Sequence, residues 1–101
     1  MPRMQHIVLV KFKPETTAEK IDEVFSVIAE LQNKIDGIEN FQGGPYSSHE
    51  GLNQGYTHGF IMTFADAAAR DAYLPHPEHE VAKSAVFPFV EAVVSFDFEC
   101  A

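Results

Sequence analysis

Alternation of apolar and polar positions opens the chain. Residues 6–13 read His-Ile-Val-Leu-Val-Lys-Phe-Lys, a β-branched run of strand length. A period of two puts His6, Val8, Val10 and Phe12 on one face, and Ile7, Leu9, Lys11 and Lys13 on the other. Pro14 ends the run. The spacing then changes to threes and fours. Ile21, Val24, Phe25, Ile28, Leu31 and Ile35 make one apolar stripe, which predicts an amphipathic helix. Thr16-x-x-Glu19 fits a capping box ahead of it, in which side chains satisfy the free backbone donors of the first turn. Asp36-Gly37 stops the helix, with Gly37 as its left-handed cap.

A second strand is expected over residues 38–46, around Ile38 and Phe41. Gly43, Gly44 and Pro45 make its end irregular, as at a bulge or a sheet edge. Residues 47–54 are a polar loop. The clearest alternation follows over 56–64, with Tyr56, His58, Phe60, Met62 and Phe64 against Thr57, Gly59, Ile61 and Thr63. The alanine-rich stretch 66–74 predicts a helix that Pro75 interrupts, and a further helix runs from about 77 to 87 with Pro77 in its first turn. Residues 89–98 alternate again, Val90, Ala92, Val94, Phe96 and Phe98 against Glu91, Val93, Ser95 and Asp97.

The order βαββαβ is the split βαβ, or ferredoxin-like, pattern of an α+β protein. Residues 1–101 thus form one domain, a four-stranded antiparallel sheet with both helices on one face. Under the helices we expect Tyr56, Phe60, Met62 and Phe64, with Val8, Val10 and Phe12 from the first strand and Val94, Phe96 and Phe98 from the last. The opposite face keeps Ile7, Leu9, Lys11, Gly59, Ile61, Thr63 and Val93. So apolar a face wants a cover, and a second copy of the same sheet supplies one. This predicts a homodimer through sheet faces, in keeping with the prevalence of two-fold dimers.

Composition narrows the function. Seven basic residues against fifteen acidic ones give a net charge of −8, which speaks against nucleic acid, whose phosphates need a basic surface. The single Cys100 excludes a disulfide framework and a cysteine-based zinc site. No apolar run reaches the roughly 20 residues of a membrane span. Met1-Pro2-Arg3-Met4 leads directly into a strand, so no signal peptide and a cytoplasmic location are expected.

Histidine carries the candidate chemistry. There are five: His6, His49, His58, His76 and His79. His6 and His58 share the parity of the helix-facing residues, while Tyr73, His76 and His79 come from the helical side. A site between sheet and helices follows. Histidine exchanges a proton near neutral pH, and a neighbouring tyrosine can donate to a developing oxyanion or orient the imidazole. The plainer alternative stays open for each: Pro75-His76-Pro77 is a rigid inter-helix turn with histidines bonded to backbone, and His6 and His58 are half-buried and satisfied. His76-x-x-His79-Glu80 is not His-Glu-x-x-His and lacks an assured third ligand, so no metal is expected. No phosphate-binding loop is present either, and we expect no cofactor.

His6-Ile-Val-Leu-Val-Lys-Phe-Lys, Tyr56-Thr-His58 and Tyr73-x-x-His76-Pro77-x-His79 together resemble the Dabb family, the stress-responsive dimeric α/β-barrel domains. The resemblance covers nearly the whole chain. It implies a ferredoxin-like protomer whose sheet packs on that of its partner to close a barrel. Few members have an assigned activity, so the first expectation is a stress-responsive barrel whose specific activity is unassigned. A plant polyketide cyclase of the family implies a second: a small cofactor-independent enzyme of aldol type acting on a carbonyl-containing ligand. In that comparison His79 is the general base, Tyr73 supports it, and His6 and His58 line the substrate pocket. Ile28 stands where the cyclase has a pocket tyrosine, a departure that bears on the substrate and on the cyclase activity itself. Other dimeric ferredoxin-like barrels are cofactor-free or haem-related monooxygenases, a third alternative that rests on fold analogy.

Overall fold

The computed structural model describes residues 2–100. Its elements are β1 (Arg3–Phe12), α1 (Ala18–Glu30), β2 (Ile38–Pro45), β3 (His58–Phe64), α2 (Ala67–Tyr73), α3 (Pro77–Val86) and β4 (Val90–Cys100). All strand pairs are antiparallel, in the order β2-β3-β1-β4. This is the ferredoxin-like arrangement the element order predicts. Among the described residues no helix is long and apolar enough to cross a membrane.

The apolar stripe of α1 buries Val24 and Ile28, and the chain tightens into a 3₁₀ turn at Leu31–Asn33 before Gly37. Gly37 has a φ of +95°, and a Cβ there would lie 2.7 Å from that of Ala69, so conformation and space both demand glycine. The helix begins one residue later than the capping box implies. Thr17 is the cap, its hydroxyl accepting from the Lys20 N–H. Thr16 instead closes a turn onto Lys13 and donates its hydroxyl to the Phe89 carbonyl. Tyr56 lies ahead of β3 in the loop, where its N–H donates to the Asn53 carbonyl.

Val8, Val10, Phe12, Phe60, Met62 and Phe64 pack beneath the helices, as alternation predicts. A Cβ on Gly43 would meet Phe25 at 2.7 Å and Phe60 at 2.9 Å, so the irregular end of β2 gives these rings room.

The last strand corrects the expected faces. Lys11 pairs with Ala92 but Phe12 pairs with Val90, so Glu91 is an extra residue in a bulge. One inserted residue inverts the parity beyond it. Val93, Ser95 and Asp97 therefore oppose Val10, Val8 and His6 on the helix side. Val94, Phe96 and Phe98, expected in the core, oppose Leu9, Ile7 and Gln5 on the open face instead. That face becomes more apolar than predicted. Leu9, Ile61, Val94 and Phe98 are exposed on it, and Phe96 is 64% exposed.

Candidate functional site

Two side-chain caps shape the helical side of the site. The Asp66 carboxylate accepts from Ala69 N–H and starts α2. His76 starts α3, its Nδ1 accepting from the Glu78 N–H, with Pro77 in the first turn where no donor is needed. His76 is thus spent on the turn. That turn brings the end of α2 against the start of α3, and the rings of Tyr73 and His79 stack with centroids 4.0 Å apart.

Beneath this stack a cavity of about 240 Å³ lies between the sheet and helices α1 and α3. Val8, Val24, Ile28, Leu31, Phe60 and Val86 form apolar walls. His6, Tyr73 and His79 supply polar groups, and Lys83 and Ser95 also line it. Exposed Phe87 and Val93 border the cavity from α3's end and from β4, the sheet edge that the helices leave open.

The electrostatics differ for each group. His79 Nδ1 lies 3.0 Å from the Leu74 carbonyl, which can only accept, so the neutral ring carries its proton there and Nε2 keeps a free lone pair. Burial pushes the His79 pKa below 6.5, and the positive charge of Lys83 acts in the same direction, against an opposing contribution from the Leu74 bond. Tyr73 is 2% exposed, and burial first, then the Asp97 carboxylate, pushes its hydroxyl up to about 12. It stays a neutral hydroxyl, a donor, through the physiological range. His6 is buried, its Nδ1 2.6 Å from Asp97 Oδ1, and its ring meets Tyr73 edge to face at 6.0 Å. A carboxylate accepts, so Nδ1 carries the hydrogen and Nε2 is left for the cavity. Asp97 Oδ2 in turn takes Arg70 Nη1 at 2.6 Å.

Of the predicted site residues, His79, Tyr73, His6 and Ile28 meet around one cavity. His58 does not reach its lining. It stands edge-on to Phe12 at 5.2 Å and against Phe25 at 5.7 Å, with Nδ1 2.9 Å from Thr57 Oγ1. Burial lowers its pKa, with Asp22 opposing. His49 is exposed in the loop before β3. Three residues of the site went unread: Asp97, Arg70 and Lys83. The signal for Asp97 was an acid on the strand that pairs with the one carrying His6, hidden by the inverted parity. Among the described residues no three histidine, cysteine or carboxylate side chains cluster as a metal site would require.

With this geometry in view, similarity to known proteins is informative. Residues 4–100 match the stress responsive A/B barrel domain, Dabb. The stress-response A/B barrel domain-containing protein At5g22580 of Arabidopsis thaliana is 36% identical over 98 residues, covering 96% of this chain and 86% of that protein. Olivetolic acid cyclase of Cannabis sativa is 27% identical over 95 residues, covering 94% of each. A dimeric ferredoxin-like protein of unknown function from Jannaschia sp. CCS1 superposes with a TM-score of 0.83 at 27% identity, covering 97% of this chain and 99% of that one.

Proposed function

The chain belongs to the stress responsive A/B barrel domain family, and from that premise we propose that it is a homodimer whose protomers each act on a small carbonyl compound, with His79 as general base. The observation that carries this reading is the free Nε2 of His79 over an apolar cavity, fixed by the Leu74 carbonyl and by the Tyr73 ring. Nε2 takes a proton from the carbon next to the carbonyl, and the electron pair moves onto the oxygen as an enolate. The Tyr73 hydroxyl donates to that oxygen. His6 accepts from a substrate hydroxyl through Nε2. His58 shapes the far wall through Phe12 and Phe25. Ile28 leaves space that a larger side chain would fill. The enolate then adds to a second carbonyl, loses a leaving group or is reprotonated, giving cyclase, lyase or isomerase chemistry.

Homodimerisation is supported by the apolar open sheet face and by the dimeric state of the Jannaschia relative. The cyclase comparison, at 27% identity over nearly the whole chain, supports carbonyl chemistry without naming this chain's substrate.

Deuterium exchange at the α-carbon tests the base. Short β-ketoacyl compounds, as free acids and as thioesters, are incubated with the protein in heavy water and followed by NMR. Exchange faster than in buffer is expected for at least one, falling roughly 10²–10⁴-fold in His79→Gln. Exchange at the buffer rate throughout, or undiminished in the variant, overturns the reading.

A further inference from the structure

Among the described residues, Lys83 is the one formally charged side chain that lines the cavity. It lies one turn beyond His79 on α3, at the i+4 position that shares a helix face. Its charge reaches the His79 ring, where it opposes protonation. Its ion-pair partner is Glu80, whose exposed carboxylate sits 2.8 Å from Nζ. An exposed pair of this kind is weak and exchanges readily. The interior carboxylate Asp97 is paired with Arg70, Oδ2 lying 2.6 Å from Nη1. The chain carries a net charge of −8, yet a lysine is among the residues that line this apolar cavity.

We propose that the cavity takes an amphiphilic carboxylate, with its apolar body against Val8, Val24, Ile28 and Phe60 and its carboxylate on Lys83. The ligand's carboxylate displaces Glu80 from Nζ and forms its pair where low-dielectric walls strengthen it. An uncharged analogue leaves the Lys83–Glu80 pair intact and gains nothing from the cation. The carbon to be deprotonated then lies between the two ends, beside His79. This deepens the carbonyl reading above by giving the substrate a negative charge, and it rests on that reading for the reaction but not for binding. The competing account is that Lys83 covers the wall with its aliphatic stem while its ammonium stays on Glu80.

Titration calorimetry separates the two, with octanoate and its neutral isostere octanamide as probes. The wild-type protein binds octanoate at least about tenfold more tightly than the amide, a difference of about 1.4 kcal/mol. Lys83→Met keeps the stem and removes the charge, so it erases that preference and leaves amide affinity unchanged. Equal affinities in the wild type, or a preference that survives Lys83→Met, overturn the proposal. So does octanoyl coenzyme A binding more tightly than octanoate through a Lys83-dependent contact, which would put carrier phosphates at the lysine. His79→Gln tells this failure from failure of the base: it slows α-carbon exchange by the same roughly 10²–10⁴-fold while the carboxylate preference persists.

Discussion

Asp97 bridges His6 and Arg70, accepting from Nδ1 of the first and Nη1 of the second, each at 2.6 Å. The two contacts have unequal weight because their burial differs: the His6 side chain is 9% exposed and that of Arg70 20%. Asp97→Ala strands a buried N–H and costs about 1–3 kcal/mol. Arg70→Ala leaves the His6 bond in place and removes a partly solvated pair, at a cost under about 1 kcal/mol. The double variant adds little to Asp97→Ala, since Arg70 has already lost this partner. Urea unfolding at one fixed protomer concentration measures all three. An Arg70→Ala cost equal to that of Asp97→Ala would show that the arginine, not the carboxylate, is the centre of the network.

Tyr73 and His79 have separable roles: their rings stack, while His79 Nδ1 is held by the Leu74 carbonyl and the Tyr73 hydroxyl is a separate group. Tyr73→Phe keeps the stack on His79 at 4.0 Å and the tilted contact with Phe64 at 5.0 Å, and deletes only the hydroxyl. The fold therefore survives, and α-carbon exchange slows by about 10²-fold, the cost of one lost oxyanion donor. Because the hydroxyl titrates at about 12, the wild-type rate shows no limb from Tyr73 until strongly alkaline pH. A Tyr73→Phe protein with wild-type exchange would remove the tyrosine from the chemistry and leave it a packing residue.

His79 sets the acid side of the same profile. Its pKa is lowered below 6.5, chiefly by burial, so the free base persists below the pH where an ordinary histidine protonates. The exchange rate accordingly falls only at a pH below 6.5. The stability contribution has the matching sign. The folded chain favours neutral His79, so stability is fully present above 6.5 and is lost as pH falls through the lower folded value. Unfolding of His79→Gln across that window should show a shallower loss with acid than the wild type. An acid limb at or above 6.5 contradicts the burial of the ring.

How much of this was legible in the sequence depended on what one residue can change. Strict alternation in β1 gave the helix-facing set from His6 to Phe12, because nothing interrupts that strand before Lys11. The same logic failed in β4. Glu91 bulges, and a period of two has no memory of which face it began on, so Phe96 and Asp97 exchanged places. Hydrophobicity encouraged the error, because valine and phenylalanine suit a core and a sheet-to-sheet interface equally. For His58 the parity was correct, but parity assigns a face and not a reach: Phe12 and Phe25 stand between that ring and the cavity. Tyr73 and His79 were candidates by residue type and by their place on the helical side, and their roles as support and base came from the family resemblance. Their stacking depends on a turn that Pro77 and the His76 cap create together, which spacing alone does not specify.

The bulge also decides where a dimer would form, which makes Phe96 the sharpest test of the open face. In an isologous interface each substitution enters twice, near the two-fold axis or symmetrically about it. Phe96→Glu would bury two unpaired carboxylates in a surface made of Leu9, Ile61, Val94 and Phe98, a cost that solvent meets by keeping the protomers apart. Val81 is as exposed as Phe96, 65% against 64%, but lies on α3 away from the sheet. Sedimentation velocity should show a dimer for the wild type and for Val81→Glu, and a monomer for Phe96→Glu. Asp97→Ala should also remain a dimer, because its side chain faces the helices. If Val81→Glu dissociates and Phe96→Glu does not, the protomers meet through helices, and the open sheet face has another use.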